Sequence, residues 1–367
     1  MPSAPTEISP PEHAADEALR SVSERFRLVS SLTPTNLRAE RTAFFAGSRQ
    51  NLHFTYAVDQ HSLATLRSEL DTIAVPRTEV GALLEAKRLE LQKKVDLLAA
   101  IGTPQFSELS RAIYGVPDAT TIEEAHSVLA KPHDARPEPT EEPRLSAQAV
   151  ADALNDVLAR YKLEAWTVEL NERSVAGVVV NPQERRIFVA AHTSLEVSRL
   201  APLITHEIET HVLTAENGRV QPLSLFVQGF AGYLATQEGL AAYNVSIQHP
   251  QHGRPMRFWA RNALAVDLAQ RHGFRDVFEA VRDLGFTEQF AFGVAAKVKR
   301  GLIDTSEPGG WTKDYIYLAG RRAVADFVAG GGGLRDLYVG KISLEVVPEL
   351  RHFSWVKPPK LLPQFLQ

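Results

Sequence analysis

Residues 200–218 read LAPLITHEIETHVLTAENG, and this stretch decides the predicted fold. Its apolar residues recur at helical spacing. Pro202 lies near the first turn, where a missing N–H does little harm, and Asn217–Gly218 ends the pattern as a left-handed cap would. We therefore predict one helix from about Ser198 to Glu216. It is apolar enough to be buried, so its histidines and glutamates need polar partners.

Within this helix lies the motif His206-Glu207-Ile208-Glu209-Thr210-His211. The usual zinc peptidase helix places its two histidines four residues apart, because such residues share one face. Here the step is five, which on a regular α-helix leaves His211 roughly 140° away from His206. A π-type bulge would return both to one face, so we predict a bulge or local break within His206–His211. A regular helix with two surface histidines is the alternative that the motif alone leaves open.

The third ligand of a metal site is expected from a second helix. The chain has no cysteine, so a metal must be held by His, Asp or Glu. A catalytic zinc takes three protein ligands and keeps one position for water. Residues 229–244 predict a helix of small residues, in which Glu238 is an acid within an apolar run. We predict that His206, His211 and Glu238 bind Zn²⁺. A surface carboxylate is the alternative for Glu238.

Glu207 directly follows the first predicted ligand. In that place its carboxylate can take a proton from a water molecule activated by the metal and then carry it to the leaving amine. We therefore predict Glu207 as the catalytic base and acid.

The chain of 367 residues is long enough for two domains. Residues 1–15 are rich in Pro, Ser, Ala and Glu and are predicted to be disordered, and residues 16–130 are predicted to form a helical N-terminal domain. Residues 131–144 carry four prolines and form the predicted linker. Residues 145–367 form the predicted catalytic domain. The fold class is α+β and mainly helical. Short strands are predicted before the motif helix at residues 166–170, 177–180 and 186–190.

Composition limits the possible partners. The net charge is −4, and 44% of the residues are hydrophobic and 23% charged, as in an ordinary globular protein. A protein that binds nucleic acid or an anionic membrane usually has a basic face, so neither partner is expected. The N-terminus does not read as a secretory signal, and no apolar stretch is long enough to span a bilayer. We expect a cytoplasmic protein, and the sequence leaves its oligomeric state open.

Taken together, these motifs resemble the tyrosine carboxypeptidase family. That family includes animal microtubule-associated enzymes that remove the C-terminal tyrosine of α-tubulin, and bacterial proteins with a Gln-Glu-Gly-Leu-Ala motif. The similar segments are His206–His211, Asn217–Gln221, Gln237–Ala241, Arg300–Gly301, Thr312–Gly320 and, upstream, Phe106–Gly115.

The resemblance covers roughly residues 54–350. It implies a zincin-like catalytic domain with a small sheet beside the motif helix. It also implies zinc ligands at His206, His211 and Glu238 and a catalytic role for Glu207. The tubulin substrate is not carried over to this chain.

A carboxypeptidase must also bind the free C-terminal carboxylate of its substrate, for which Arg and Lys are the natural partners. Arg300 and Lys313 lie in the family-like segments and are predicted to bind that carboxylate. Tyr317 is predicted to donate a hydrogen bond to the tetrahedral oxyanion. The alternatives are that Arg300 and Lys313 are solvated surface charges and that Tyr317 is an aromatic residue of the core. The strand at residues 186–190 is predicted to be an edge strand that pairs with an extended peptide.

The leading interpretation is a zinc metallopeptidase that hydrolyses the C-terminal peptide bond of a peptide or protein, with an aromatic or tyrosine preference left open. A zinc aminopeptidase or another zinc-dependent amidase is the first alternative. A non-catalytic regulatory protein with a structural metal is the second. The intact Glu207 argues against the second alternative, because a structural site needs no base.

Overall fold

The computed structural model describes residues 7–48, 50–131, 142–172, 177–251 and 253–367. Helices predominate and two small sheets accompany them, so the predicted α+β class is confirmed. None of the helices within these ranges is long and apolar enough to cross a membrane.

The helical elements of the first half of the chain are α1 Pro10–Arg25, α2 Leu28–Ser31, α3 Leu37–Phe45, α4 Gln60–Thr72, α5 Glu79–Ala99, α6 Gln105–Tyr114, α7 Ala119–Ala130, α8 Ala147–Arg160 and α9 Leu200–His206. Those of the second half are α10 Leu213–Arg219, α11 Leu225–Gln228, α12 Tyr233–Gln248, α13 Arg254–Ala269, α14 Phe274–Asp283, α15 Glu288–Val298, α16 Ile316–Ala329 and α17 Val347–Leu350. The strands are β1 Arg144–Ser146, β2 Thr167–Asn171, β3 Val178–Asn181, β4 Arg186–Ala190 and β5 Ser194–Glu196.

These elements form two compact units, each assembled from separated segments. The first unit consists of Met1–Arg20, His133–His252 and Gly320–Gln367, and the second of Ser21–Pro132 and Gly253–Ala319. One passage between the units falls within the predicted linker, of which residues 132–141 lie outside the described residues. The helices of Gly253–Ala319, which were predicted to belong to the catalytic domain, group with the N-terminal helices.

Helix α1 corrects one prediction. Residues 10–15 are helical where the sequence composition predicted disorder. Glu12 accepts hydrogen bonds from the backbone N–H and the hydroxyl of Ser9, at 2.7 and 2.8 Å, as in a capping box, and Pro10 occupies the first helical position. Ala15 and Leu19 are buried. Capping and apolar burial therefore order a segment whose polar composition suggested otherwise. Residues 1–6 of that prediction lie outside the described residues.

The larger sheet of the first unit has the strand order β2-β4-β3. Strand β4 pairs in parallel with β2 and antiparallel with β3, and its Ile187 and Val189 are fully buried. The three strands predicted from alternation and turn signals are confirmed. The prediction that residues 186–190 form an edge strand is wrong, because β2 and β3 take up the hydrogen bonds on both sides of β4.

Helix α12 contacts α16 backbone to backbone at Gly239 and Gly320. A Cβ built on Gly239 would lie 2.3 Å from the carbonyl carbon of Gly320, and one built on Gly320 would lie 2.3 Å from the carbonyl oxygen of Ala235. Only glycines allow two helices to approach so closely. The N-terminus of α12 follows Gly232, which has a left-handed backbone conformation with φ 72°.

The second unit contains its own aromatic core and a fully buried lysine. Phe54, Phe274 and Phe292 are among the side chains of that core. Lys299 is fully buried, and its three N–H groups are shared among four carbonyl oxygens within hydrogen-bonding distance of Nζ, those of Ala269, His272, Glu307 and Gly309. Burial lowers the pKa of Lys299 to about 8, so the ammonium group remains protonated at neutral pH. Lys299 therefore ties these backbone segments together.

Candidate metal centre

The motif helix changes its hydrogen-bonding pattern within the motif. Helix α9 ends at His206, residues Glu207–Val212 form a π-helix, and α10 begins at Leu213. The predicted π-type distortion is thus confirmed. As a result the rings of His206 and His211 lie 4.9 Å apart between centroids, with their planes at 81°. The wider turn places two histidines five residues apart on the same face.

Glu238 of α12 lies close to both histidines. Its Oε2 lies 3.6 Å from Nε2 of His206 and 3.6 Å from Nε2 of His211. The three side chains are 12 to 18% exposed. Within the described ranges, this is the one group of three or more His, Asp or Glu side chains whose potential ligand atoms converge, all within 4.8 Å.

The spacing of these atoms fits a metal ion better than direct hydrogen bonds. A separation of 3.6 Å is too long for a hydrogen bond between nitrogen and oxygen. Tetrahedral zinc, with bonds of about 2.0–2.2 Å, would hold its ligand atoms about 3.4 Å apart. Two imidazoles and one carboxylate are also a ligand set of catalytic zinc sites, which keep a fourth position for water. The donors present therefore fit Zn²⁺.

Glu207 lies next to the first histidine, at the start of the π-helix. Desolvation raises the pKa of its carboxyl group, the neighbouring His206 and His211 lower it, and Glu238 raises it further, with a net upward shift. A raised pKa brings a carboxyl group closer to the range in which it exchanges protons at neutral pH. The local environment of Glu207 thus suits proton transfer.

A second face of the motif helix carries a polar network that sequence reasoning missed. The hydroxyl of Thr205 donates to Glu209 at 3.0 Å and lies 3.0 Å from Nε2 of His249. Tyr161 of α8 donates to the other oxygen of Glu209 at 2.9 Å. His249, the residue after α12, therefore contacts the motif helix. A His at the C-terminal end of a helix gave no local signal of that contact.

His252 lies outside the described residues, and His272 belongs to the second unit, where its Nδ1 is 3.9 Å from Asp276.

Arg300, Lys313 and Tyr317 all belong to the second unit, where the structure brings them together around Trp311. The guanidinium of Arg300 lies 5.6 Å from the Trp311 ring centroid, and Nζ of Lys313 lies 5.9 Å from the same ring and 5.5 Å from that of Tyr317. Such distances favour cation–π contacts. Trp311 itself is only 3% exposed. The substrate-binding roles of these three residues stay predictions.

Asp314 is the internal partner of this basic group and was not singled out by the sequence. It is 3% exposed and lies 2.7 Å from Nζ of Lys297. Burial alone would raise the pKa of its carboxyl group, but Lys297, Lys313 and Arg300 outweigh that effect and lower it. Asp314 therefore stays ionised, and the cations around it outnumber the carboxylate.

Comparison with known proteins gives a consistent set of relatives. The family model described as microtubule-associated tyrosine carboxypeptidase matches residues 42–367. Microtubule-associated tyrosine carboxypeptidase 1 of Mus musculus is 30% identical over 205 residues, which are 51% of this chain and 41% of the relative.

Two further relatives show similar coverage. The protein of the same name from Homo sapiens is 29% identical over 214 residues, or 54% of this chain and 43% of the relative. The putative tyrosine carboxypeptidase MATCAP2 of Mus musculus is 29% identical over 174 residues, which are 46% of this chain and 32% of the relative. The matches thus span less than half the length of these curated relatives.

Proposed function

Since the chain belongs to the microtubule-associated tyrosine carboxypeptidase family, we propose that it is a zinc-dependent carboxypeptidase. Its reaction is the hydrolysis of the last peptide bond of a peptide or protein. One observation carries the proposal: Nε2 of both His206 and His211 lies 3.6 Å from the same oxygen of Glu238, with Glu207 beside them. The small sheet that precedes the motif helix supports a zincin-like catalytic fold as part of the proposal.

In this proposal His206, His211 and Glu238 hold the zinc ion. When bound, zinc supplies a Lewis acid that makes water more acidic and polarises a carbonyl group. The chain's own contribution is proton transfer at Glu207. Its carboxylate accepts a proton from the attacking water and donates it to the amine that leaves, so the carboxylate is restored at the end of the cycle.

The proposal extends to the recognition of the substrate C-terminus. Arg300 and Lys313 are proposed to bind the terminal carboxylate, and Tyr317 is proposed to donate a hydrogen bond to the oxyanion. The excess of cations around Asp314 supports a role in binding an anion. An aromatic side chain at the substrate C-terminus is part of the proposal, in line with the names of the relatives.

The test combines zinc analysis with peptides blocked at one end. Wild-type protein is expected to contain zinc and to release the last residue from N-acetylated peptides with a free carboxylate, but not from the corresponding C-terminal amides. Glu207→Gln should keep zinc and lose about 10²- to 10⁴-fold in kcat, because it removes general acid–base catalysis.

Glu209→Gln is the matched control. It lies on the same π-helix but bonds to Tyr161 and Thr205 on the second face. It should retain activity within a few-fold of wild type.

Three results would contradict parts of the proposal. Equal activity in Glu207→Gln excludes that residue as the base. Removal of N-terminal residues from C-blocked peptides would instead indicate an aminopeptidase. Failure of the wild-type protein to bind zinc, even when zinc is supplied, would overturn the zinc-dependent mechanism as a whole.

A further inference from the structure

Three fully buried polar side chains lie behind the metal site, where the π-helix packs on α12. They are Thr210 of the π-helix, Asn244 of α12, and Tyr338, the last residue of a 3₁₀-helix at Leu334–Tyr338. The amide nitrogen of Asn244 donates to the hydroxyl of Thr210 at 2.9 Å and to that of Tyr338 at 2.7 Å. All three belong to the first unit. Buried polar networks are costly unless they are satisfied, so their presence here calls for a structural reason.

Thr210 links this network to the backbone of the π-helix. Its hydroxyl donates to the carbonyl oxygen of Thr205, five residues earlier, at 2.9 Å. A hydroxyl has one proton to donate, and because Asn244 supplies a donor to Thr210, that proton is directed to the carbonyl. The side chain thus bridges a five-residue step that lies one residue ahead of the step from His206 to His211.

The same network connects the two elements that carry the ligands. Asn244 is on the helix of Glu238, less than two turns further along, and Thr210 directly precedes His211. Tyr338 closes the network from a third segment. Burial raises the pKa of its phenol group well above the usual range, so the group stays neutral and able to hydrogen-bond.

A π-helix is normally unstable relative to an α-helix, so the motif needs a local cause to keep this register. Relaxation to a regular α-helix would turn His211 roughly 140° away from His206 and remove one ligand from the site. We propose that Thr210, Asn244 and Tyr338 are positioning residues that hold the π-helical register and thereby set the metal affinity. This inference rests on the proposed zinc site.

The test measures zinc affinity separately from stability. Thr210→Val removes the hydroxyl but keeps a branched side chain, and Thr210→Ser restores the hydroxyl. Thr214→Val is the matched control, because Thr214 is equally buried on the same helical run and its hydroxyl donates to the carbonyl oxygen of Thr210 across an ordinary four-residue step. Zinc dissociation constants come from competition with a chelator. Urea unfolding midpoints are measured on the zinc-free proteins.

Thr210→Val is expected to weaken zinc binding by about 10- to 100-fold, the range seen when a residue that helps to orient a metal ligand is lost. Thr214→Val should lower the urea midpoint by a similar amount as Thr210→Val and keep wild-type zinc affinity. Thr210→Ser should return the affinity to within about threefold of wild type. The visible absorption of the Co²⁺-loaded protein reports ligand geometry, and it should change in Thr210→Val and remain unchanged in Thr214→Val.

Tyr338→Phe provides a second variant that avoids the motif helix altogether, and it should weaken zinc binding in the same direction. The inference is overturned if Thr210→Val and Tyr338→Phe bind zinc as tightly as wild type. It is also overturned if Thr214→Val loses as much affinity as Thr210→Val, because the effect would then be general destabilisation. Failure of the wild-type protein to bind zinc would instead contradict the proposed function, so the two failures are distinguishable.

Discussion

A methyl group added at Gly239 should push two helices of the first unit apart and weaken the metal site. In Gly239→Ala the new Cβ would lie 2.3 Å from the carbonyl carbon and 2.4 Å from the carbonyl oxygen of Gly320, whereas ordinary contacts begin at 3.4 Å. The helices must therefore separate by about 1 Å, because the obstructing atoms are backbone and cannot rotate away.

The expected energy follows from two opposing effects. Gly→Ala at an unobstructed helix position stabilises by about 1 kcal/mol, whereas overpacking a close contact costs about 1–3 kcal/mol and more when the backbone must move. We expect a net loss of about 2 kcal/mol in the free energy of unfolding. Glu238 immediately precedes Gly239, and functional groups tolerate displacements of only about 0.5 Å. Zinc affinity should therefore fall by roughly tenfold or more.

Urea unfolding of the zinc-free protein and chelator competition measure these two effects. Gly293→Ala in α15 is the control, because the new Cβ would meet no atom within 4 Å and should stabilise the protein by about 1 kcal/mol. If Gly239→Ala were as stable as wild type, or shifted stability in the same direction as the control, the close backbone contact would not constrain α12 and the reasoning would fail.

Two further substitutions test internal contacts, one within each unit. Lys299→Met should lower the free energy of unfolding by about 3 kcal/mol in urea titrations, because four carbonyl groups lose their charged donor. An unchanged midpoint would mean that these carbonyls find other partners. Glu216, on α10, accepts hydrogen bonds from Trp166 and Arg185. Burial raises the pKa of the Glu216 carboxyl group, but these hydrogen bonds outweigh burial, so the net pKa is lowered. The stability it confers is therefore complete above its unfolded pKa of 4.5 and lost as the pH falls through the lower folded value. Glu216→Gln should cost about 2 kcal/mol at pH 7, and its stability should converge with that of wild type in acid. Parallel pH curves would contradict this assignment.

The motif could be understood from the sequence because its geometry is local. A five-residue step between His206 and His211 is compatible with one metal only if the helix deviates from α geometry, and the π-helix Glu207–Val212 shows that deviation. The strands of the first unit could also be predicted, because alternation and turn residues are recognised within a few positions of the sequence. Helix α1 carries a local signal too, the capping residues Ser9 and Glu12, although the polar composition of this segment is typical of disorder.

Contacts between distant segments could not be predicted in this way. No local sequence pattern indicates that Gly320 packs on Gly239 or that Tyr338 hydrogen-bonds to Asn244. The assignment of Gly253–Ala319 to the second unit is equally non-local. Edge or centre position within a sheet depends on the partners of a strand, so the central place of β4 was not visible in its own residues.

The order of segments in the first unit has a consequence for biosynthesis. All three proposed ligands lie in His133–His252, whereas Gly320 and Tyr338 belong to Gly320–Gln367. A growing chain therefore leaves the ribosome with every metal-binding side chain before it has the backbone that packs on α12 or the phenol that bonds to Asn244. We expect high-affinity metal capture to await translation of the final segment, so that products of premature termination carry the motif yet remain poor metal binders.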